Sequence, residues 1–217
     1  MSYLPVVETF HSLQGEGCHT GRSAFFIRLG GCRVGCSWCD TKHSWLSEPQ
    51  TQRDVEDLAA EAITVRKAGA AFVVVTGGEP LHHDLDSLCR ALRQHTSSTS
   101  ESNSALPIHL ETSGVDVLSG EPDWITLSPK RHAPPRKDIL ARCSELKVVI
   151  HTAADLEFAE VMAQEVQYSR EKGSSTAELL LQPGWNCLEG QRLSIEHILR
   201  YPRWRLSLQC HKWLQIS

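Results

Sequence analysis

The sequence lacks long apolar runs and any clustering of basic charge, and these absences exclude two classes of protein. No stretch approaches the roughly 18–20 apolar residues that a membrane span needs, and no basic segment followed by an apolar core opens the chain. The formal net charge is −4, with lysines and arginines scattered along the sequence. We therefore expect a cytoplasmic protein that acts on a small molecule, with no membrane or nucleic-acid partner.

The cysteines also lack the spacing of a disulfide framework. Three of the eight fall within one short segment, and five stand alone at Cys18, Cys89, Cys143, Cys187 and Cys210. This distribution suits a reducing compartment, where isolated cysteines are ordinary core or surface residues. A chain of 217 residues can bury one sizeable core, so we expect a single domain over residues 1–217.

Apolar segments of strand length alternate with helical patterns along most of the chain. Strands are predicted at residues 23–29, 72–76, 108–112, 124–127, 146–150, 179–182 and 204–208. Helices are predicted at residues 84–95, 153–172 and 192–200, and another from a capping box at Thr51 and Asp54 to Gly69. The polar stretch 96–105 cannot bury a core and is expected to be a surface loop.

Strands that are apolar throughout and alternate with helices indicate a parallel sheet covered on its outer face, either an incomplete α/β barrel or a doubly wound sheet. Polar clusters follow nearly every predicted strand, which favours the barrel, whose active site lies where strand ends converge. Little helical pattern occurs in residues 111–124 and 134–145. We therefore expect a trimmed barrel whose exposed apolar flanks are covered in a homodimer.

The segment Cys32-x3-Cys36-x2-Cys39 is the strongest chemical signal in the sequence. Three thiolates leave one iron of a 4Fe-4S cluster open, and that iron could bind the amino and carboxylate groups of S-adenosylmethionine (SAM). A Cys3His zinc site that includes His43 is the alternative. Trp38 and the downstream Gly77-Gly78-Glu79-Pro80 make the cluster the stronger interpretation.

These cysteines with Trp38, followed by a strand that ends Thr76-Gly77-Gly78-Glu79-Pro80, resemble the radical SAM superfamily. Further motifs are similar to the 7-carboxy-7-deazaguanine synthase family within it, and this resemblance runs nearly end to end. They are Ser12-Leu13-Gln14-Gly15-Glu16-Gly17, Arg28, Asp40-Thr41, Ser128-Pro129-Lys130, Glu145 to Ile150, Gln182-Pro183 and Gln209-Cys210-His211-Lys212.

The resemblance implies a trimmed (β/α)6-type radical SAM barrel and a lyase of queuosine and other deazapurine biosynthesis. Its substrate would be 6-carboxy-5,6,7,8-tetrahydropterin, and its product 7-carboxy-7-deazaguanine with loss of ammonia. A 5′-deoxyadenosyl radical would start the reaction by removing hydrogen. Further partners would be Mg²⁺ and an external flavodoxin- or ferredoxin-like electron donor. A glycyl-radical activase of the same superfamily and a zinc-binding module are the alternatives.

The resemblance also assigns roles to residues. Cys32, Cys36 and Cys39 would hold the cluster, and Thr41 would ligate Mg²⁺. The pterin would contact Leu13, Gln14, Gly15, Arg28, Thr76 and the terminal carboxylate of Ser217. SAM would be surrounded by Trp38, Cys39, Asp40, Gly78, Ser128, Pro129, Lys130, Gln182, Pro183, Gly184 and Trp185.

Taken singly, several of these residues have simpler interpretations. Arg28 could form a structural ion pair, Gln14 and Glu16 could be turn residues, and Thr41 could be a helix cap.

Overall fold

A computed structural model describes residues 2–46, 48, 50–97, 105–170 and 175–216 of the chain. Its strands are β1 (Tyr3–Leu13), β2 (Ser23–Leu29), β3 (Thr51–Asp54), β4 (Val73–Gly77), β5 (Ile108–Thr112), β6 (Trp124–Leu127), β7 (Glu145–Ile150), β8 (Glu178–Pro183) and β9 (Trp204–Leu206). Its helices are α1 (Val55–Lys67), α2 (Asp86–Ser97), α3 (Lys137–Arg142), α4 (Ala153–Ser169), α5 (Leu188–Arg200) and α6 (Cys210–Leu214). No helix in these ranges is long and apolar enough to cross a membrane.

The strands form one sheet in the order β3-β1-β2-β4-β5-β6-β7-β8-β9. Every neighbouring pair from β2 to β9 is parallel, whereas β1 runs antiparallel to both β2 and β3. The carboxyl ends of seven strands therefore lie along one edge. This arrangement confirms the predicted trimmed α/β barrel with helices on its outer face.

The main core lies between the outer face of the sheet and the helices. Every second strand residue, such as Ile27, Val75 and Leu146, points outward and packs in one core with Leu58 of α1 and Leu88 of α2. All five side chains are fully buried or nearly so. The inner face is different, because Arg28, Thr76, Glu111, Thr126, Lys147 and Gln182 point away from the helices into a cavity. The expectation of strands apolar on both faces is therefore wrong for the inner face.

Residues 14–22, which we call the floor loop, fill the barrel from the amino ends of its strands. The ring of His19 packs against Phe72, His109 and Trp124, at centroid distances of 5.6, 4.6 and 4.5 Å. These three residues lie at or near the beginnings of β4, β5 and β6. The floor loop thus closes the amino end of the barrel with side chains rather than with a further strand.

Several predicted boundaries need correction. The capping box at Thr51 is wrong, because residues 51–54 pair with β1 as strand β3 and Asp54 alone caps α1 by accepting a hydrogen bond from Glu56 N at 3.0 Å. The last strand ends at Leu206, and α5 begins earlier than predicted, at Leu188. Helix α4 ends at Ser169, and most of the predicted loop 96–105 lies outside the described residues.

Candidate active site

A cavity of about 570 Å³ lies at the carboxyl edge of the sheet, where the strand ends converge. Pro129 and Pro183 do not line it, and Ser217 lies outside the described residues. The other residues given a role by the sequence all line it: Leu13, Gln14, Gly15, Arg28, Cys32, Cys36, Trp38, Cys39, Asp40, Thr41, Thr76, Gly78, Ser128, Lys130, Gln182, Gly184 and Trp185.

The three cysteines share one loop, which follows β2 and opens onto this cavity. Cys36 is buried, and burial raises the pKa of the Cys32 and Cys36 thiols, so a bound metal centre is needed to favour their thiolate forms. The described residues contain no group of three His, Cys, Asp or Glu side chains suited to a single metal ion, and His43 is exposed. Three separated thiols facing one cavity fit a cluster, in which each thiolate takes its own iron, better than zinc.

The Gly77-Gly78 turn packs directly on the backbone of the cysteine loop. Gly77 has φ +140°, and Gly78 donates its N–H to Leu29 O at 2.9 Å. A Cβ atom at Gly78 would overlap the Gly31 carbonyl, so only glycine permits this approach. The turn therefore holds the loop and the end of β4 against each other.

Glu79 anchors the same turn from beneath. Its carboxylate is 2% exposed and accepts hydrogen bonds from Thr112 Oγ1 at 2.5 Å, Ser113 N at 2.7 Å and Leu81 N at 3.1 Å. Because neutral donors satisfy both oxygens, the carboxylate is accommodated without a cationic partner. Glu79 thus fixes the end of β5 to the glycine turn.

An ion pair crosses the barrel beneath the cavity. Lys147 of β7 donates to Glu16 of the floor loop, and Gln209 donates to the other Glu16 oxygen at 3.0 Å. Burial alone would raise the pKa of Glu16, but Lys147 reverses this effect and lowers that pKa to about 2. The charge of Glu16, with that of Glu111, likewise raises the pKa of Lys147 in spite of its burial. Both side chains are therefore charged at neutral pH.

A second carboxylate, that of Glu111, faces the cavity among neutral donors. Gln14 Nε2 donates to one of its oxygens at 3.0 Å, and Thr76 Oγ1 donates to the other at 2.9 Å. Arg28 lies nearby on the inner face, with Nε 2.8 Å from Glu8 Oε1. The predicted pterin residues Gln14 and Thr76 are thus joined through Glu111, and Arg28 does form an ion pair as well as lining the cavity.

The carboxyl-terminal segment forms one wall of the cavity. Lys212 of α6 pairs with Asp40, which directly follows the third cysteine, and Gln209 Nε2 lies 3.4 Å from the same carboxylate. Cys210 N donates to Gly15 O at 2.9 Å, which fastens the segment to the floor loop. Lys212 Nζ also lies 5.3 Å from the centre of the Trp185 ring.

Comparison with known proteins agrees with this geometry. The family model of the radical SAM superfamily matches residues 26–147. A 7-carboxy-7-deazaguanine synthase of Prochlorococcus marinus is 54% identical over 98% of both chains. This chain belongs to the 7-carboxy-7-deazaguanine synthases.

More distant members of this family show the same end-to-end match. The synthase of Synechocystis is 43% identical over 98% of this chain and 93% of its own, and that of Escherichia coli K12 is 33% identical over 98% and 99%. The crystal structure of QueE from Escherichia coli superposes with a TM-score of 0.76, covering 96% of this chain and 95% of that one. None of these relatives favours the activase or zinc alternatives.

Sequence reasoning missed part of the cavity wall. Glu111, Lys147, Ser113 and His151 line the cavity without having been assigned a role there. Lys147 carried a usable signal, since it is the one charged residue within the apolar run of residues 146–150. Ser113 and His151 carried only the general signal of a polar residue directly after a strand, because neither belongs to a motif.

Proposed function

We propose that the chain converts 6-carboxy-5,6,7,8-tetrahydropterin into 7-carboxy-7-deazaguanine and ammonia. The supporting observation is a single cavity that contains the three cysteines of a radical SAM loop together with Arg28, Glu111 and Lys147. The overall change is redox-neutral, because the product and one ammonia together contain every atom of the substrate. When bound, the cluster and SAM supply a 5′-deoxyadenosyl radical that removes hydrogen from the carbon bearing the carboxylate.

The chain's own residues divide the cavity between the two ligands. Cys32, Cys36 and Cys39 hold the cluster, and SAM lies against Trp38 to Asp40, Gly78, Ser128 to Lys130 and Gln182 to Trp185. Ser128 accepts a hydrogen bond from Lys130 Nζ at 2.7 Å, which keeps this half-buried side chain at the SAM side of the cavity. Pro129 and Pro183 act indirectly, by shaping the segments whose neighbours face the ligand.

The pterin lies against Leu13, Gln14, Gly15, Arg28 and Thr76, with Glu111 beneath it. A guanidinium suits the substrate carboxylate because its planar fork can donate to both oxygens. Glu111 offers acceptor oxygens to the N–H groups of the pterin ring. Arg28 then exchanges part of its pairing with Glu8 for the substrate.

Mg²⁺ binds at Thr41 in this proposal. The Thr41 hydroxyl lines the cavity, 3.5 Å from Asp40 Oδ1. Thr41 would supply only one protein ligand, but Mg²⁺ commonly keeps several waters and takes its remaining ligands from substrate oxygens. The substrate carboxylate can supply these, which would fix its orientation relative to the cysteine loop.

Three further parts of the proposal concern the protein as a whole. Residues 1–217 form one domain, in keeping with the single sheet. The enzyme works in the cytoplasm, where its eight free cysteines stay reduced. An external flavodoxin- or ferredoxin-like protein supplies the electron. The side chains of Arg33 and Lys42, at and beside the cysteine loop, are exposed, and their positive charges suit an acidic donor protein.

The chain also forms a homodimer in this proposal. Leu188 and Leu199 of α5 are each 81% exposed, and Leu206 and Leu208 beside them are 43% and 45% exposed. An apolar surface of this kind beside the edge strand β9 suits burial against a second copy.

Anaerobic turnover tests the activity. Reconstituted protein with SAM, dithionite, Mg²⁺ and the carboxypterin should release the deazaguanine and ammonia in equal amounts. Cys36→Ser should abolish both products, while Cys89→Ser, at an isolated buried cysteine, should retain them. Protein that carries its full complement of iron and sulfide yet gives no deazaguanine would refute the proposal.

A further inference from the structure

Trp45 touches the cysteine loop at two points. Its backbone carbonyl accepts the N–H of Cys32 at 2.9 Å, and its indole Nε1 donates to Cys39 Sγ at 3.3 Å. One half-buried residue that also lines the cavity therefore contacts the first cysteine of the loop through its backbone and the third through its indole.

The position of this indole is set by backbone contacts of the chain itself. A short 3-10 turn at Lys42–Ser44 precedes it, in which Trp45 N donates to Lys42 O at 3.1 Å and Ser44 Oγ donates to Thr41 O at 2.7 Å. Ser44 is fully buried, and its carbonyl accepts the N–H of Gly31 at 2.8 Å. These bonds fix the indole against Cys39 without any contribution from a bound group.

The other side-chain contacts of the three cysteine sulfurs in the described residues are longer. Thr41 Oγ1 lies 3.6 Å from Cys39 Sγ, and His132 Nε2 lies 3.9 Å from Cys36 Sγ while it is also 3.0 Å from the Val34 carbonyl. An indole nitrogen can only donate, whereas the direction of the hydroxyl contact is open. Among the side chains of the described residues that contact a sulfur of these three cysteines, Trp45 is therefore the closest and the one that can act only as a donor.

We propose that Trp45 is a positioning residue which, through Cys39, raises the reduction potential of the bound cluster. The inference rests on the proposed cluster. A hydrogen bond to a ligating sulfur stabilises negative charge, and the reduced cluster carries one more negative charge than the oxidised one, so the donor favours reduction. Since an electron must reach the cluster before SAM is cleaved, Trp45 would make that first step easier.

A redox titration of the holoprotein tests this inference. Trp45→Phe keeps a ring but removes the N–H, so the midpoint potential, followed by the electron paramagnetic resonance of the reduced cluster, should become more negative. At the wild-type midpoint the ratio of reduced to oxidised cluster should fall at least about threefold. An unchanged midpoint in protein with full iron and sulfide would overturn the inference.

Two controls separate the hydrogen bond from other effects. Lys42→Met removes the ammonium 5.7 Å from the Trp45 ring and should leave the midpoint near that of the wild type. An equal shift in Lys42→Met would assign the effect to local charge and reject the inference. If Trp45→Phe loses its cluster, benzothienylalanine at position 45 keeps the indole shape without the N–H and should give the same negative shift, whereas an unshifted midpoint rejects the inference.

The outcome is distinguishable from failure of the proposed function. Wild-type protein that never acquires iron and sulfide contradicts the cluster itself. Wild-type protein that forms the cluster and makes the deazaguanine, with a midpoint insensitive to loss of the indole N–H, contradicts the role of Trp45 alone.

Discussion

Lys147 stands in the middle of β7 and owes its burial to Glu16. Removing one member of a buried ion pair leaves the other charge uncompensated, which typically costs about 3–5 kcal/mol. Lys147→Met should therefore lower the free energy of unfolding by about that amount. The double variant Glu16→Gln/Lys147→Met should recover much of the loss, because no charge is then stranded.

Anaerobic urea unfolding of the holoproteins, followed by circular dichroism, measures both changes. A single variant as stable as the wild type would mean that water or Gln209 compensates Glu16 well enough without the lysine.

The buried side chain of His109 should make the stability of the folded protein sensitive to acid. Its ring is stacked on that of Phe72, with 4.1 Å between the ring centroids. Burial, with the nearby His19 and Arg22, lowers the pKa of His109 to about 3. Because the folded-state pKa lies below the unfolded value, stability is full above about pH 6.5 and falls by about 1.4 kcal/mol per pH unit down to pH 3.

His109→Phe keeps the ring stacking and removes the proton site. Between pH 7 and 5.5 the wild type should lose about 1 kcal/mol more stability than this variant, measured by urea unfolding at each pH. Equal losses in the two proteins would show that His109 does not resist protonation in the folded state.

At the residue level, the sequence predicts the cavity lining well where residues belong to local motifs. The cysteines, Gln14, Arg28 and Thr76 all face the cavity as their motifs indicate. The contacts of His19 with Phe72, His109 and Trp124 were not predictable, because they join residues far apart in the chain. Periodicity carries no information about such pairings.

At the element level, the glycine turn after β4 controls the cysteine loop. Gly78→Ala places a Cβ against the Gly31 carbonyl, so the loop must move, and we expect the purified protein to lose most of its iron and sulfide. Gly69→Ala is the matched control: its φ of +107° makes alanine strained, but no atom lies within 4 Å of the new Cβ. That variant should lose stability and keep its cluster.

Iron and sulfide counts on the two variants, each purified anaerobically, measure how much cluster each retains. Full cluster occupancy in Gly78→Ala would show that the loop tolerates displacement from the turn.

Lys212 of α6 is expected to act on the SAM side of the cavity, because it contacts Asp40 and Trp185. Lys212→Met removes the bond to Asp40, which is half-exposed, so stability should change little. The KM for SAM should rise about 2–10-fold, the range of one lost hydrogen bond, because Asp40 lies on the SAM side of the cavity in our proposal. Steady-state kinetics should show a smaller change in kcat, and Lys67→Met, at the end of α1, should change neither value.

Elements were predicted best where they bury one continuous apolar side. Strands β2, β5 and β6 match their predicted bounds, because each has apolar residues on its outer face and is followed by a turn or a polar cluster. Strand β1 was missed because Pro5, Glu8 and His11 interrupt its pattern. Strand β3 exists through its pairing with β1, and α6 has only five residues, too few for a helical period to be visible.

At the scale of the whole molecule, α5 carries the surface for which we propose a second copy. Leu188→Glu/Leu199→Glu should shift the protein from dimer to monomer at micromolar concentration, because two charges cannot be buried there without partners. Sedimentation measures the shift. Tyr168→Glu, at a side chain 82% exposed on α4, should leave the dimer intact. A monomeric wild type would contradict the proposed assembly.

The overall architecture was predictable because alternation of strands and helices constrains topology strongly. Closure of the barrel was not, since it depends on the floor loop and the carboxyl-terminal segment meeting across the open side of the sheet. The bonds from Cys210 N to Gly15 O and from Gly17 N to Ser207 Oγ, at 2.9 and 3.0 Å, make that junction.

The two edge strands of the sheet have a consequence for how the protein behaves at high concentration. β3 is four residues long and β9 only three, so neither offers much backbone to a neighbouring chain, and the longer stretch without a partner on one side is β1 beyond Val6, which β3 does not cover. Short edges are a common protection against strand-to-strand aggregation. Copies of this chain should therefore not associate through β3 or β9, and any intermolecular β-structure from which fibrils grow should begin at residues 7–13 of β1.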